Sequence, residues 1–135
     1  MLYRRADLED VVEAHLLAVK AAPQIGFGRY IISATTPFGL GDLALLGLDA
    51  HQAVMEHFRD YAPLYTAQGW RMFPRIDRVY VNARARAALG WRPRYDFRHV
   101  LDCLKRGEDF RSPLARAVGE KGYHDRRFAE GPYPV

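Results

Sequence analysis

Apolar residues recur at helical spacing in several segments of this 135-residue chain. In the first segment the residues at helical spacing are Leu8, Val11, Val12, His15, Leu16 and Val19, which predicts a helix over about 8–21 that stops before Pro23. Asp7 is its predicted N-cap. The other predicted caps are Asp42 before a short turn through 46, Asp49 before 50–58, Asp60 before 61–68, Asp96 before 97–106 and Ser112 before 113–118.

Extended segments alternate with these helices. Residues 29–34 are rich in β-branched and aromatic side chains and predict a strand, and residues 70–74 are predicted to be extended. Val79 and Val81 follow a period of two, which predicts a second strand that feeds a short helix. Asn82 is the predicted cap of that helix and Gly90 its predicted stop.

Three motifs occur in a fixed order with these elements. They are the run Ala6-Asp7-Leu8-Glu9-Asp10-Val11-Val12-Glu13-Ala14-His15 leading into a helix, the extended Gly28-Arg29-Tyr30-Ile31-Ile32-Ser33, and the helix ending Leu89-Gly90-Trp91-Arg92-Pro93. Together they resemble the C-terminal part of the NAD(P)-dependent epimerase/dehydratase family. Members of this family are extended short-chain dehydrogenases that act on nucleotide sugars.

The resemblance implies a fold class. It predicts an α/β, or α+β-like, fragment: a helix-rich C-terminal substrate domain of an extended short-chain dehydrogenase with a few short strands. Residues 1–135 are expected to form a single domain. Residues 119–135, with three glycines and two prolines, are expected to be an irregular tail.

The residues that a complete family member uses for hydride transfer are missing from this chain. It has no Gly-x-Gly-x-x-Gly turn to receive a dinucleotide pyrophosphate at a helix N-terminus. It also lacks the family's Tyr-x-x-x-Lys pair, since Leu16, Leu101 and Ala117 stand four positions before its three lysines. We therefore expect no catalytic residue, no cofactor and no hydride transfer from this chain alone, and NAD(P) is implied only for a complete member.

The nucleotide-sugar side of the site could remain. By resemblance, the residues that would hold the diphosphate of a nucleotide sugar are Arg75, Asp77, Tyr80, Arg4 and Arg5. Their spacing differs from the family pattern, because Arg75 and Asp77 are closer together and Arg4 and Arg5 lie slightly late. No His/Cys cluster has the spacing of a metal site.

Charge is unevenly placed along the chain. Residues 1–69 carry five Lys/Arg against eight Asp/Glu, a net charge of −3, whereas residues 70–116 carry twelve against five, a net charge of +7. Arginine-rich surfaces suit phosphate or carboxylate ligands, although a solvated basic face has the same composition. Nucleic-acid binding through residues 70–116, with interleaved aromatics such as Trp70 and Trp91, is an alternative function.

Self-association is the other alternative. If the chain lacks a cofactor-binding half, the residues that would pack against that half form an exposed apolar face, which predicts a homodimer or higher oligomer. A separate chain could instead supply the missing half. The single cysteine, Cys103, excludes an internal disulfide, and without an apparent signal peptide or membrane span we expect a cytoplasmic protein.

Overall fold

The computed structural model describes residues 1–119, which fold into helices joined by short extended segments. The helices are α1 (Leu8–Ile25), α2 (Leu43–Leu48), α3 (Ala50–His57), α4 (Tyr61–Ala67), α5 (Ala83–Leu89), α6 (Phe97–Arg106) and α7 (Pro113–Val118), and a 3₁₀ turn at Leu40–Asp42 precedes α2. Apart from Gly119, the irregular tail predicted over 119–135 lies outside the described residues.

The predicted α/β fold class is wrong for this part of the chain. Residues 1–119 are 55% helical and contain no strand and no sheet. The segments predicted as strands are extended, but they make isolated contacts: the N–H of Ala34 donates to the carbonyl of Arg5 at 2.8 Å, and that of Tyr80 to the carbonyl of Tyr3 at 2.7 Å. A ladder needs successive backbone bonds between the same two segments, and none forms here.

Helix α1 is longer than the sequence predicts. It continues through Pro23 to Ile25, whereas the pattern placed its end before the proline. Pro23 lies in the last turn, where its missing N–H removes one helical hydrogen bond and little of the helix follows it. Gly26, with φ of 69°, ends the helix by donating its N–H to the carbonyl of Ala22 at 2.8 Å.

The predicted helix starts are confirmed, but not every predicted cap acts as one. The side chains of Asp7, Asp49, Asp96 and Ser112 each accept a hydrogen bond from a backbone N–H in the first turn of the helix that follows. Three other side chains at predicted starts make no such bond: Asp42, Asp60 and Asn82. The predicted stop at Gly90 is confirmed by its left-handed conformation, with φ of 65°.

Two apolar clusters stabilise the described residues. The larger lies among α2, α3, α4 and α6, and its fully buried members include Leu46, Val54 and Leu101. The smaller lies between α1 and α5 and contains Ala14, Ala85, Leu89 and Trp91. Trp91 is fully buried and is the largest side chain of this second cluster.

The start of α1 is tied to the segment after α5. The Asp10 carboxylate accepts the backbone N–H groups of Arg94 at 2.9 Å and Tyr95 at 3.0 Å, and its carbonyl accepts Trp91 Nε1–H at 3.0 Å. One turn earlier, Asp7 Oδ2 accepts the N–H of Ser112 at 3.1 Å. Two of the three sequence motifs are therefore in direct contact, and their acidic residues anchor residues 91–95 and α7.

Candidate anion-binding site

Three segments that are distant in sequence meet around residues 3–5. The backbone bonds from Ala34 and Tyr80 place this N-terminal segment between residues 33–35 and residues 80–82. Asn82 joins the outer two segments, since its Nδ2 donates to the carbonyl of Ser33 at 2.8 Å and to Thr35 Oγ1 at 3.1 Å. The side chain predicted to cap α5 therefore fixes the position of the predicted strand over residues 29–34.

Beside this junction lies a cavity of about 510 Å³. It is formed by the N-terminal residues 1–6, the extended residues 70–73, and side chains from α4, α6 and the segment before α7. Three arginines line it: Arg4, Arg5 and Arg71. The same wall carries several aromatic rings, from Tyr3, Tyr65, Trp70, Phe73, Phe97 and Phe110.

The aromatic wall is held by edge-to-face contacts. The ring centroids of Tyr3 and Phe73 are 6.2 Å apart, those of Tyr65 and Trp70 are 5.5 Å apart, and those of Trp70 and Phe110 are 6.4 Å apart. Burial raises the pKa of Tyr65, with a smaller contribution from Tyr61, so its phenol remains a hydrogen-bond donor at neutral pH. Trp70 and Phe73 remain partly exposed, which leaves ring surface at the rim.

The three cavity arginines form no salt bridge and no side-chain hydrogen bond with an acidic residue among residues 1–119, although the charge of Arg4 acts weakly on Asp77. Arg4 contacts the Tyr3 ring, with its Cζ 5.3 Å from the centroid, and neither Arg5 nor Arg71 forms an ion pair or side-chain hydrogen bond with a described residue. By contrast, many arginines of the basic region are paired with carboxylates: Arg78 with Asp77, Arg94 with Glu9, Arg98 with Asp60, Arg106 with Glu108 and Arg111 with Asp109. The cavity therefore brings together three arginines that form no salt bridge with a described residue.

The residues predicted by resemblance do not all converge on this cavity. Arg4 and Arg5 line it, whereas Arg75, Asp77 and Tyr80 do not. Tyr80 lies next to Tyr3 through its backbone N–H, and Asp77 is exposed, with its pKa lowered mainly by the hydrogen bond from Arg78 and slightly by the charge of Arg4.

Arg75 lies further away, at the junction of α2 and α3. The neighbouring Pro74 accepts the N–H of Ala50 through its carbonyl, and Ile76 donates its N–H to Leu46. The side chain of Arg75 is exposed and makes no hydrogen bond or ion pair with residues 1–119. Its separation from the cavity makes it a useful comparison in any binding experiment.

Sequence reasoning did not assign Arg71, Trp70 and Phe73 to a phosphate site. The sequence predicts an extended backbone over residues 70–74 and includes Trp70 and Arg71 in an arginine-rich region without assigning them a ligand of their own. The available signal was an arginine flanked by large aromatics between Gly69 and Pro74. What the sequence could not show is that residues 70–73 pack across the N-terminal segment.

A cysteine and a histidine on α6 are close but do not form an activated pair. Cys103 Sγ lies 3.5 Å from His99 Nε2, and the same nitrogen lies 3.1 Å from the carbonyl oxygen of Phe110. Because a carbonyl accepts hydrogen bonds, Nε2 carries the proton in this arrangement and cannot also take one from the thiol. Cys103 is buried.

No family model, curated protein or solved structure matches this chain. The resemblance to the epimerase/dehydratase family therefore stays a prediction that rests on the three sequence motifs. Within residues 1–119 no three His, Cys, Asp or Glu side chains are grouped so as to hold a metal ion. No helix of this same part of the chain has the length and apolar character needed to cross a membrane.

Proposed function

We propose that this chain binds the diphosphate of a nucleotide sugar, as the substrate side of an epimerase/dehydratase-like protein. The observation that carries the proposal is the cavity whose three arginines form no salt bridge with a described residue. A guanidinium can donate two parallel hydrogen bonds to phosphate oxygens, and several guanidiniums around one cavity suit a diphosphate better than a single charge.

The aromatic wall supports a nucleotide rather than a simple inorganic anion. Trp70 and Phe73 expose part of their rings at the rim, where a nucleobase or the apolar face of a sugar can stack. A volume of about 510 Å³ is within the usual range for small-molecule sites. The proposal includes no hydride transfer by this chain alone, because the sequence has neither a glycine-rich turn nor a Tyr-x-x-x-Lys pair.

The test is isothermal titration of the protein with UDP-glucose, dTDP-glucose and NAD at moderate salt. We expect saturable binding of a nucleotide sugar and weaker or no binding of NAD. In the Arg71→Ala variant, loss of a charged hydrogen bond of about 1.5–3 kcal/mol should weaken binding by roughly tenfold or more. Raising the salt concentration should weaken binding further, because the interaction is between exposed charges.

Two matched variants make this experiment specific. Arg59→Ala removes an exposed arginine that lies outside the cavity and forms no salt bridge with residues 1–119, and it should leave binding unchanged. Arg75→Ala distinguishes the site assigned by resemblance, which includes Arg75, from the cavity, which Arg75 does not line. If Arg75→Ala weakened binding as much as Arg71→Ala, the site assigned by resemblance would be favoured. Absence of heat with every nucleotide sugar would contradict the proposal, and so would equal losses in Arg59→Ala and Arg71→Ala.

A further inference from the structure

Helix α1 leaves an apolar stripe exposed on its outer face. Leu8, Val12, Leu16 and Val19 recur at intervals of four, four and three residues and therefore lie on one side of the helix. Leu16 is 59% and Val19 73% exposed, and nothing in residues 1–119 covers them. The stripe extends over about 16 Å at 1.5 Å per residue. The exposed ring of Phe27 follows just after the helix ends.

The charges beside this stripe are arranged in a self-complementary way. Glu13 and Lys20 are seven residues apart, so they lie on nearly the same flank of α1. Neither forms a salt bridge with a described residue, and the charge of Glu13 contributes weakly to raising the pKa of Arg94. The acid lies toward the N-terminal half of the helix and the base toward its C-terminal half. This order is the one that an antiparallel copy of the same helix would complement.

We infer that α1 is a self-association surface and that its occupant is α1 of a second copy, packed antiparallel about a two-fold axis near Leu16. In that arrangement Leu16 faces Leu16 of the second copy, and Val19 faces Val12. Because a two-fold axis across antiparallel helices brings equivalent flanks together, Lys20 of each copy comes beside Glu13 of the other. The antiparallel helix dipoles add a favourable interaction.

Charge complementarity is what distinguishes a second copy from an unrelated partner. A parallel pair related by a two-fold axis along the helices would place equivalent flanks on opposite sides of the interface, so Lys20 of one copy would not lie beside Glu13 of the other. The exposed Leu8 and Phe27 stand near opposite ends of α1, so antiparallel packing brings the two ends of the apolar surface toward each other. The inference does not depend on the cavity or its ligand, so either proposal can fail without the other.

The experiment is sedimentation equilibrium of the full chain over a range of concentrations. We expect the unmodified protein to form a dimer and Leu16→Glu to shift it to a monomer. The matched control is Leu40→Glu, which places the same charge at a leucine that is 88% exposed and lies outside α1, and it should remain dimeric. A monomeric unmodified protein would overturn the inference, as would a Leu16→Glu variant that remains dimeric.

Two further variants test the proposed register. Lys20→Glu should weaken dimerisation by about tenfold, since two symmetric ion pairs become repulsive, and the double variant Glu13→Lys/Lys20→Glu should recover most of that loss. One carboxylate oxygen of Glu13 is buried, so circular dichroism must show that the variants fold. Failure of the double variant to recover would overturn the antiparallel arrangement.

A cross-linking measurement leaves Glu13 untouched. In a Cys103→Ala background, Leu16→Cys should form an intermolecular disulfide under mild oxidation, because the two-fold axis places the equivalent residues close together. Leu40→Cys is the control and should cross-link far more slowly. Equal rates for the two variants would contradict a two-fold axis near Leu16.

Discussion

The buried side chain of Asp10 holds the segment after α5 against the start of α1. It is fully buried, and its carboxylate accepts two backbone N–H groups from residues 94 and 95. Burial raises the pKa of Asp10, and the hydrogen bonds from Arg94 and Tyr95 oppose that rise. Its function is therefore structural: the ionised carboxyl is costly to bury, but it is the group that offers acceptors to both donors.

We expect Asp10→Asn to destabilise the protein by about 1–3 kcal/mol, the usual cost of leaving a buried polar group without a partner. The amide keeps one acceptor oxygen but turns its NH₂ group toward the second backbone N–H. The measurement is urea unfolding at neutral pH. Asp77→Asn is the control, because that exposed carboxylate forms an exposed salt bridge with the neighbouring Arg78, and it should show no measurable change. Equal stability of the two variants would contradict this interpretation of Asp10.

At the scale of elements, α4 and α6 are joined by an ion-pair network around Asp60. Arg98 donates to both carboxylate oxygens of Asp60, at 2.7 Å and 3.1 Å, and Lys105 Nζ lies 2.5 Å from Oδ2. The hydrogen bonds from Arg98, and then from Lys105, hold the pKa of Asp60 well below its usual value. The residue that the sequence predicts as a helix cap instead links two helices.

This network predicts a pH dependence of stability. Because the pKa of Asp60 is lowered by folding, its contribution is fully present above the unfolded-state value of 3.8 and is lost as the pH falls toward the folded-state value. The difference in unfolding free energy between the unmodified protein and Asp60→Asn should therefore be largest near neutral pH and shrink below about pH 4. Urea unfolding at several pH values measures it.

Asp102→Asn is the comparison for this experiment. Asp102 lies 3.6 Å from Arg98 and 3.9 Å from Lys105, so it interacts with the same two cations at longer distance. We expect a smaller difference at every pH. If Asp60→Asn matched the unmodified protein throughout the pH range, the ion pairs would contribute nothing to the contact between α4 and α6.

Helices were predictable because their signals are local. Asp96 precedes the ten-residue helix α6 and Gly107 follows it. The side chain of Asp96 accepts the N–H of His99, as an N-cap does. Strands were not predictable in the same way, because a strand exists only with a partner. The residues around Ile31 have the composition of a strand, but they find no ladder within the described chain.

At the scale of the whole molecule, the cavity depends on contacts that no local pattern encodes. Arg5 and Arg71 are separated by 66 positions and line one cavity because residues 70–73 pack across the N-terminal segment. The resemblance placed Arg4 and Arg5 together with Arg75, but the chain carries Arg75 toward α2 and α3 instead. Sequence alone thus identified part of the cavity and could not supply its opposite wall.

The two apolar clusters also differ in size, which predicts unequal local stability. The smaller cluster buries two alanines, Leu89 and Trp91, whereas the larger includes several leucine, phenylalanine and tyrosine side chains around α6. Less buried apolar area should make the α5 region open at a lower free energy than α6. Native-state hydrogen exchange should therefore show faster exchange through local opening for the amides of α5 than for those of α6.

Trp91→Phe makes this prediction specific to the smaller cluster. The change removes both side-chain volume and the hydrogen bond from Nε1 to the carbonyl of Asp10. It should lower the opening free energy of α5 amides by about 1–3 kcal/mol. Amides of α3, which pack in the larger cluster, should keep their local opening free energies as long as these lie below that of global unfolding. If Trp91→Phe lowered the opening free energies of α3 and α5 amides equally, the two clusters would unfold as one cooperative unit. The same conclusion would follow if α5 and α6 amides had equal opening free energies in the unmodified protein.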